Sequence, residues 1–340
     1  MPSSPRSSEG ARTHGFEPPH PSTRPGLIWG QDFTPAGATP VDDCDMPRAG
    51  GFRWLHLNLA DQRTQRWIAQ LDVLPEAVRE LLLSPDTHQR ALVDGGVVGC
   101  VLHDFERDFH LAEASRVGAL RMALTPNLMI TTRHHPLRSA DIVKQKLARA
   151  SGAVTPAMAL DLMISAITEV VGGVSRLLSA EVQEAEDAFL EGHTPPGRDL
   201  VNDRRRLAQL HRMLDGMRAV FYRLERDEEL PDPLLATVEK LSQRLQALDA
   251  DIVGVQGQLR LLREELDLQA AQRTNQNLYI LSIMTALLMP ATLVTGVFGM
   301  NTGGLLWTGT PLGSIGATVL AIGASAATYF LLRWLGFMRR

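Results

Sequence analysis

The pattern of apolar and polar positions changes along the chain. Residues 52–133 contain short apolar runs separated by turn residues, which is typical of β-strands. Asp94-Gly95-Gly96 and Thr125-Pro126-Asn127 each lie between two such runs and predict two β-hairpins. A short helix is predicted over residues 71–83. We therefore expect residues 49–137 to form an α+β cytosolic domain with a mainly antiparallel sheet.

Beyond residue 137 the pattern changes to long helical segments. Helices are predicted over residues 139–150, 156–190 and 198–226, so residues 138–230 should form long antiparallel cytosolic helices. The next helix begins near residue 233 and meets no proline until Pro290. About 60 residues of helix reach roughly 90 Å. Because one domain needs no helix of that length, we expect this helix, within residues 231–298, to pack against copies of itself.

A charge-free stretch follows. No Asp, Glu, Lys, Arg or His occurs between Arg273 and Arg333. A bilayer core about 30 Å thick requires about 20 apolar helical residues, and residues 278–298 and 311–332 meet that requirement. We predict a C-terminal transmembrane hairpin of two helices, joined by an external loop over residues 299–310, and expect no third span.

Flanking charges indicate the orientation of the hairpin. Arg273 precedes the first span, Arg333, Arg339 and Arg340 follow the second, and the loop between them carries no charge. Positive residues favour the cytoplasmic side, so both termini, including the basic tail at 333–340, should be cytoplasmic and the protein should lie in the cell inner membrane. Residues 1–25 have no apolar core of the signal-peptide kind, and residues 1–48 are predicted to be a poorly ordered tail.

Composition excludes several function classes. The formal net charge is −4 and no block of like charge stands out, so nucleic acid is not expected as a partner. His134, His135, His193 and His211 form no zinc-protease or catalytic-triad signature. We therefore expect neither an enzyme nor a bound cofactor.

One face of the first span carries the candidate chemistry. Its residues recur at spacings of three and four, which places them on one side of a helix. They are Asn275, Leu278, Leu281, Thr285, Met289, Thr292 and Gly296. A lone threonine in a membrane helix usually donates back to its own backbone, but several polar oxygens on one stripe favour a pore lining. The second span carries small residues four apart, which suit close helix packing: Gly313, Ala317, Ala321 and Ser325.

The end of the first span resembles a known signature. Residues 289–301 read MPATLVTGVFGMN, which is similar to CorA-type metal ion transporters, where Gly-Met-Asn ends the first of two C-terminal membrane helices. The architectural resemblance covers residues 52–340, and the specific motif lies within residues 275–301. It implies a funnel-like homopentamer in the lipid bilayer, with one long helix per subunit lining a shared axial pore for divalent cations.

The same resemblance assigns roles to individual residues. Asn301 would form the outer selectivity ring and contact the hydrated cation, with Gly299 and Met300 as its supporting turn. Leu278 would complete a hydrophobic constriction. Successive pore-facing rings would be Thr292, Met289, Leu281 and Asn275. An amide oxygen is a hard, neutral acceptor that can bind water around a divalent ion without trapping it.

The loop after the motif bears on the choice of metal. It reads TGGLLW over residues 302–307, which resembles the zinc-transporting ZntB branch, where Gly-Gly commonly follows the signature. Magnesium-transporting relatives commonly continue toward Met-Pro-Glu, and Leu306 departs from both patterns where a proline is expected. The resemblance implies Zn²⁺ as the transported ion, with proton coupling. The alternatives are a Mg²⁺, Co²⁺ or Ni²⁺ channel of the same family and a membrane-anchored structural or sensing protein.

Overall fold

The computed structural model describes residues 25–35, 37–47, 50–107, 116–149, 152, 154–193, 200–300 and 313–337. The chain divides into two compact units, Met1–Leu259 and Arg260–Arg340. The elements in chain order are β1 (Leu27–Thr34), β2 (Gly37–Val41), β3 (Phe52–Asn58), α1 (Gln62–Ala69), α2 (Glu76–Leu83), β4 (Arg90–Asp94), β5 (Val97–Phe105), β6 (Val117–Leu124), β7 (Leu128–Arg133), α3 (Arg138–Leu147), α4 (Pro156–Leu190), α5 (Leu200–Glu225), α6 (Asp232–Phe298) and α7 (Gly313–Trp334).

The described strands of the first unit form one sheet in the order β2-β1-β3-β7-β6-β5-β4. Only the β3–β7 pair is parallel among these strands, so the prediction of a mainly antiparallel sheet is confirmed. Both predicted hairpins are present, as β4–β5 and β6–β7. The first turns through Gly95 and Gly96, whose φ angles of 56° and 75° suit glycine.

The predicted N-terminal tail is wrong for the part that forms β1 and β2. Trp29 and Phe33 of β1 are buried in the core, and β1 pairs along β3. Gly30 makes this segment resemble a loop in the sequence. In the fold, a Cβ at Gly30 would lie 2.7 Å from Val41 Cγ2 and 2.9 Å from Leu55 Cδ2, so close strand packing requires the glycine. Residues 1–24, 36, 48 and 49 lie outside the described residues.

Apolar side chains cover both faces of the sheet. One core joins the sheet to α3, α4, α5 and the first part of α6, down to Leu259. The other core lies under α1 and α2 and contains Leu55, Leu57 and Ile130. Helix α1 was absent from the predicted elements because its segment is mostly polar. In the structure, Asp61 caps the start of this helix and accepts a hydrogen bond from Arg63 N at 2.9 Å.

The long helices agree closely with prediction. Helix α4 has the predicted bounds, and α6 remains helical through Pro290 to Phe298. Within the first unit, Asp249 of α6 joins this helix to α5. His211 Nδ1 lies 2.7 Å from Asp249 Oδ1, and Arg218 donates to Oδ2 at 2.7 Å. Because both oxygens of this nearly buried carboxylate are engaged, the pair of helices is fixed in one register.

A fully buried histidine lies in the centre of the sheet. His56 Nε2 accepts from Arg133 Nε at 3.2 Å, so Nδ1 carries the proton and donates to Thr131 Oγ1 at 2.9 Å. The same hydroxyl accepts from Trp54 Nε1 at 3.1 Å. Burial, followed by the charge of Arg133, lowers the pKa of His56 to about 3. The imidazole is therefore neutral in the folded protein.

Acidification is expected to destabilise the fold through His56. The unfolded imidazole takes up a proton below its ordinary pKa of about 6.5, whereas the folded one resists protonation until pH about 3. Stability is therefore complete above pH 6.5 and falls as the pH decreases toward 3, by about 2 kcal/mol between pH 7 and pH 5. Urea denaturation of the full chain in detergent at both pH values, followed by tryptophan fluorescence, measures this.

His56→Gln serves as the test variant. It should lower stability at pH 7 and lose this part of the pH dependence. His193→Gln, at an exposed position, should keep the wild-type dependence. An unchanged pH slope in His56→Gln would contradict the assignment of the effect to this buried imidazole.

Candidate functional site

Three described helices are long and apolar enough to cross a membrane by length and composition: α4, α6 and α7. The expectation that only two segments qualify was therefore too narrow. Burial separates the three, because 44% of the apolar window of α4 is buried inside the fold, compared with 0% for α6 and 6% for α7. The apolar residues of α4 belong to the first unit's core. The exposed apolar windows of α6 and α7 need another apolar environment.

The stripe predicted on α6 is exposed along its whole length. Leu278, Leu281 and Met289 have relative exposures of 55%, 61% and 70%, and Asn275, Thr285, Thr292 and Gly296 are also exposed. At about 100° per residue, the partly covered positions of this segment lie on the opposite side of the helix. They are Ile283, Ala286, Leu287, Pro290, Ala291, Val294 and Phe298. The structure therefore places the seven predicted residues together on one free face.

Two threonines on this face present acceptors rather than donors. Thr285 Oγ1 donates to the carbonyl of Leu281 at 2.8 Å, and Thr292 Oγ1 donates to the carbonyl of Leu288 at 2.9 Å. Each hydroxyl proton is thereby used, and the remaining lone pairs of the oxygen can accept. Water molecules around a cation point their hydrogens outward. The threonine face therefore has the polarity that receives a hydrated cation.

The Gly-Met-Asn segment follows the end of α6. Gly299 N donates to the carbonyl of Thr295 at 2.9 Å, and Met300 N donates to the carbonyl of Val297 at 3.3 Å. A Cβ at Gly299 would lie 3.0 Å from the Thr295 oxygen, so the tight turn favours glycine. Asn301 and the loop through residue 312 lie outside the described residues. The role predicted for Asn301 stays a prediction.

Helix α7 has two contrasting sides. Ala321 is buried, at 8% exposure, and Gly313, Ala317 and Ser325 on the same stripe are partly covered. Large apolar residues lie on the exposed side: Ile315, Val319, Leu320, Ile322, Phe330 and Leu331. The small-residue stripe is thus the packed side of the helix, as expected where small side chains allow close approach.

Clusters of metal-binding side chains are absent from the part of the chain that the structure describes, where no group of three or more His, Cys, Asp and Glu residues is placed to hold an ion. The candidate site on α6 instead offers hydroxyl, amide and backbone oxygens on the charge-free part of the helix that follows Arg273. Such neutral oxygens suit a hydrated ion in passage better than direct coordination of a resident metal.

Comparisons with known proteins match this architecture. A family model described as CorA-like Mg²⁺ transporter protein matches residues 49–335. The chain is 27% identical over 274 residues to the zinc transport protein ZntB of Photorhabdus laumondii, covering 79% of this chain and 83% of that one. It is 25% identical over 284 residues to ZntB of Pectobacterium atrosepticum, covering 82% and 85%.

Solved structures share the fold. Full-length CmaX is similar with a TM-score of 0.75 and 23% identity, covering 92% of this chain and 98% of that one. The CorA magnesium transporter of Methanocaldococcus jannaschii is similar with a TM-score of 0.72 and 16% identity, covering 90% and 96%. With its α/β domain, long helices and apolar C-terminal helices, this chain belongs to the family of CorA-like Mg²⁺ transporter proteins.

Proposed function

We propose that this protein carries divalent cations, with Zn²⁺ as its main cargo, across the cell inner membrane through a pore lined by α6. The exposed stripe on the charge-free, apolar part of α6 is the observation that carries this proposal. In lipid, polar oxygens on such a face require water or another polar partner. A water-filled pore would supply water molecules to these oxygens.

Several copies of the chain are needed to enclose the pore. One helix presents one polar stripe, so the stripes of neighbouring subunits must surround a shared axis. We propose a homopentamer, as the family resemblance implies. Residues 278–298 and 311–332 would form a two-helix hairpin in each subunit, with both termini in the cytoplasm. Residues 49–137 and 138–230 would form the cytosolic part. The stalk helix at 231–298 would follow, and residues 333–340 would form a basic cytosolic tail.

The ion would pass in hydrated form. Asn301 would form the outer selectivity ring, and the turn at Gly299 and Met300 would hold it at the pore mouth. Thr292 and Thr285 would accept hydrogen bonds from the water shell, since their own protons are already used. Leu281 and Leu278 would form the constriction below them, between the wider rings at Met289 and Asn275, and Gly296 would widen the outer vestibule.

The choice of Zn²⁺ rests on two supports. Relatives that are similar over most of the chain are named zinc transport proteins, and the loop after Asn301 carries Gly-Gly without an acidic residue. The family model is named for Mg²⁺, so a Mg²⁺, Co²⁺ or Ni²⁺ channel is the competing proposal. Residues 274–332 contain no carboxylate or histidine that could carry protons. Proton coupling would therefore require that water in the pore conducts the protons.

Flux into proteoliposomes tests the proposal. The purified full chain is reconstituted, and entry of Zn²⁺ and, separately, of Mg²⁺ is measured with and without an inward proton gradient. Asn301→Ala is the comparison variant. Zinc entry that the proton gradient stimulates and the variant alters is the expected result.

The other outcomes distinguish the alternatives. Magnesium entry that is insensitive to pH would assign the protein to the channel alternative. Absence of flux for both ions, in protein that is correctly inserted, would favour a membrane-anchored structural or sensing protein, and in that case Asn301→Ala should leave its function intact.

A further inference from the structure

Residues 268–340 carry positive charges and no negative one, because the last Asp or Glu of the chain is Asp267. The charged residues of this stretch are Arg273, Arg333, Arg339 and Arg340. Arg273 and Arg333 are exposed, and neither forms an ion pair with another residue that the structure describes. These arginines therefore have no carboxylate partner in their own stretch of the chain.

Helix α7 ends in a hydrogen-bonded turn. Gly336 has a φ of 82°, a left-handed conformation that suits glycine. Phe337 N donates to the carbonyl of Leu332 at 3.1 Å, and Gly336 N donates to the carbonyl of Arg333 at 3.2 Å. This pair of bonds is a Schellman motif. It places Phe337 beside the last turn of α7, so the chain leaves the helix axis there. Residues 338–340 lie outside the described residues.

Two aromatic side chains are exposed at the same end of α7 as Arg333. Trp334 is 81% exposed and Phe337 is 59% exposed. Tryptophan at the end of a membrane helix lies at the headgroup level, where its ring contacts acyl chains and its N–H group meets polar acceptors. Arginine at that level can donate two parallel hydrogen bonds to one phosphate. This end of α7 therefore suits the phosphate and the upper acyl chains of a phospholipid.

We propose that the end of α7 binds the phosphate of anionic phospholipids in the cytoplasmic leaflet. Arg333 would donate to the phosphate, and Arg339 and Arg340 would add positive charge at the membrane surface. Trp334 and Phe337 would pack against the upper acyl chains. A zwitterionic lipid also has a phosphate, but its own cationic group competes with arginine, so a lipid of net negative charge is preferred. The inference rests on the hairpin of the proposed function and does not require ion flux.

Quenching of Trp334 fluorescence by brominated lipids tests the proposal. The full chain is reconstituted in mixed phosphatidylglycerol and phosphatidylcholine, and one lipid at a time carries bromine near the headgroup end of its acyl chains. The quenching that remains in Trp334→Phe is subtracted, so the difference reports on Trp334 alone. Because one arginine near an anionic surface favours binding about fivefold, phosphatidylglycerol should bind here roughly fivefold or more tightly than phosphatidylcholine. High salt should reduce this preference.

Arg333→Gln is the test variant, and Arg223→Gln is its control because Arg223 is an exposed arginine of α5 in the first unit. Arg333→Gln should lower the preference for phosphatidylglycerol about threefold or more, whereas Arg223→Gln should keep the wild-type preference. Replacing Arg339 and Arg340 by Gln as well should make the two lipids bind almost equally. The same lipid preference in Arg333→Gln and Arg223→Gln would overturn the assignment of the site to Arg333.

The wild type alone also decides the question. Equal quenching of Trp334 by the two brominated lipids would overturn the inference and leave the hairpin in place. Absence of quenching by both lipids would overturn the inference and the hairpin together, because Trp334 would then lie outside the bilayer. A preference that inorganic phosphate removes, and chloride at the same ionic strength does not, would indicate a site for free phosphate instead of lipid. A retained lipid preference without ion flux would support the inference and contradict the transport proposal alone.

Discussion

Thr292→Val is expected to lower cation flux about tenfold or more while leaving the fold intact. Valine keeps the branched shape of threonine and carries a methyl group in place of the hydroxyl. In the wild type, the hydroxyl proton is donated to the Leu288 carbonyl, so the oxygen can only accept on the proposed pore side. A net hydrogen bond contributes about 0.5–1.5 kcal/mol, and in the proposed assembly this contact would be lost in every copy around the pore. Zinc entry into proteoliposomes at matched protein density measures the effect.

Thr295→Val is the matched control. Thr295 also donates its hydroxyl to the backbone, to the carbonyl of Thr292 at 3.0 Å, and is exposed in the single chain. Thr295 follows Thr292 by three residues, and its side chain points about a quarter turn around the helix axis away from the centre of the stripe. Its loss should leave flux near the wild-type level. Equal flux losses in the two variants would contradict the assignment of this helix face to the pore.

Ile322→Arg is expected to reduce the amount of membrane-integrated protein about tenfold. Ile322 lies near the middle of α7 and is 65% exposed. In water, an arginine at such a position would cost almost nothing. At the centre of a membrane helix it costs about 2.5–3.5 kcal/mol on insertion scales. The protein that remains in carbonate-washed membranes measures integration.

Leu268→Arg supplies the comparison. Leu268 lies on α6 before Arg273 and has nearly the same exposure, 63%, but it precedes the charge-free stretch. Arginine there should be tolerated, and the variant should integrate like the wild type. Should both variants integrate equally well, α7 would not cross the bilayer at Ile322, and the proposed hairpin would have to be abandoned.

The sequence alone predicted the elements whose patterns are strong and local. Both hairpins were found because their turn residues separate clear apolar runs, and α4 and α6 were found because a helical period persists over many turns. Strand β1 was missed because Gly30 and Asp32 resemble loop residues. Their use depends on distant partners: Gly30 allows the approach of Val41 and Leu55, and Asp32 pairs with Arg53.

The candidate site was predicted from the sequence to a similar extent. The spacing of the seven stripe residues determines that they share one face of α6, since helix geometry is local. The Gly-Met-Asn motif is likewise read directly from the chain. From the sequence, it could be expected only in general that the hydroxyls of Thr285 and Thr292 donate to the backbone. The structure shows that they donate to the carbonyls of Leu281 and Leu288, so their remaining lone pairs can accept.

Sequence by itself determined that residues 274–332 carry no charge and contain two segments apolar enough for a bilayer, because composition is a property of the chain. Only the tertiary structure decided which apolar helices keep their apolar surface exposed. Helix α4, a third helix that is apolar enough by length and composition, buries much of its apolar window in the first unit's core, whereas the apolar windows of α6 and α7 stay exposed. Tertiary structure also decided that the side chain of Arg121 in β6 is buried. Burial depends on which distant segments pack together, and no local pattern encodes those contacts.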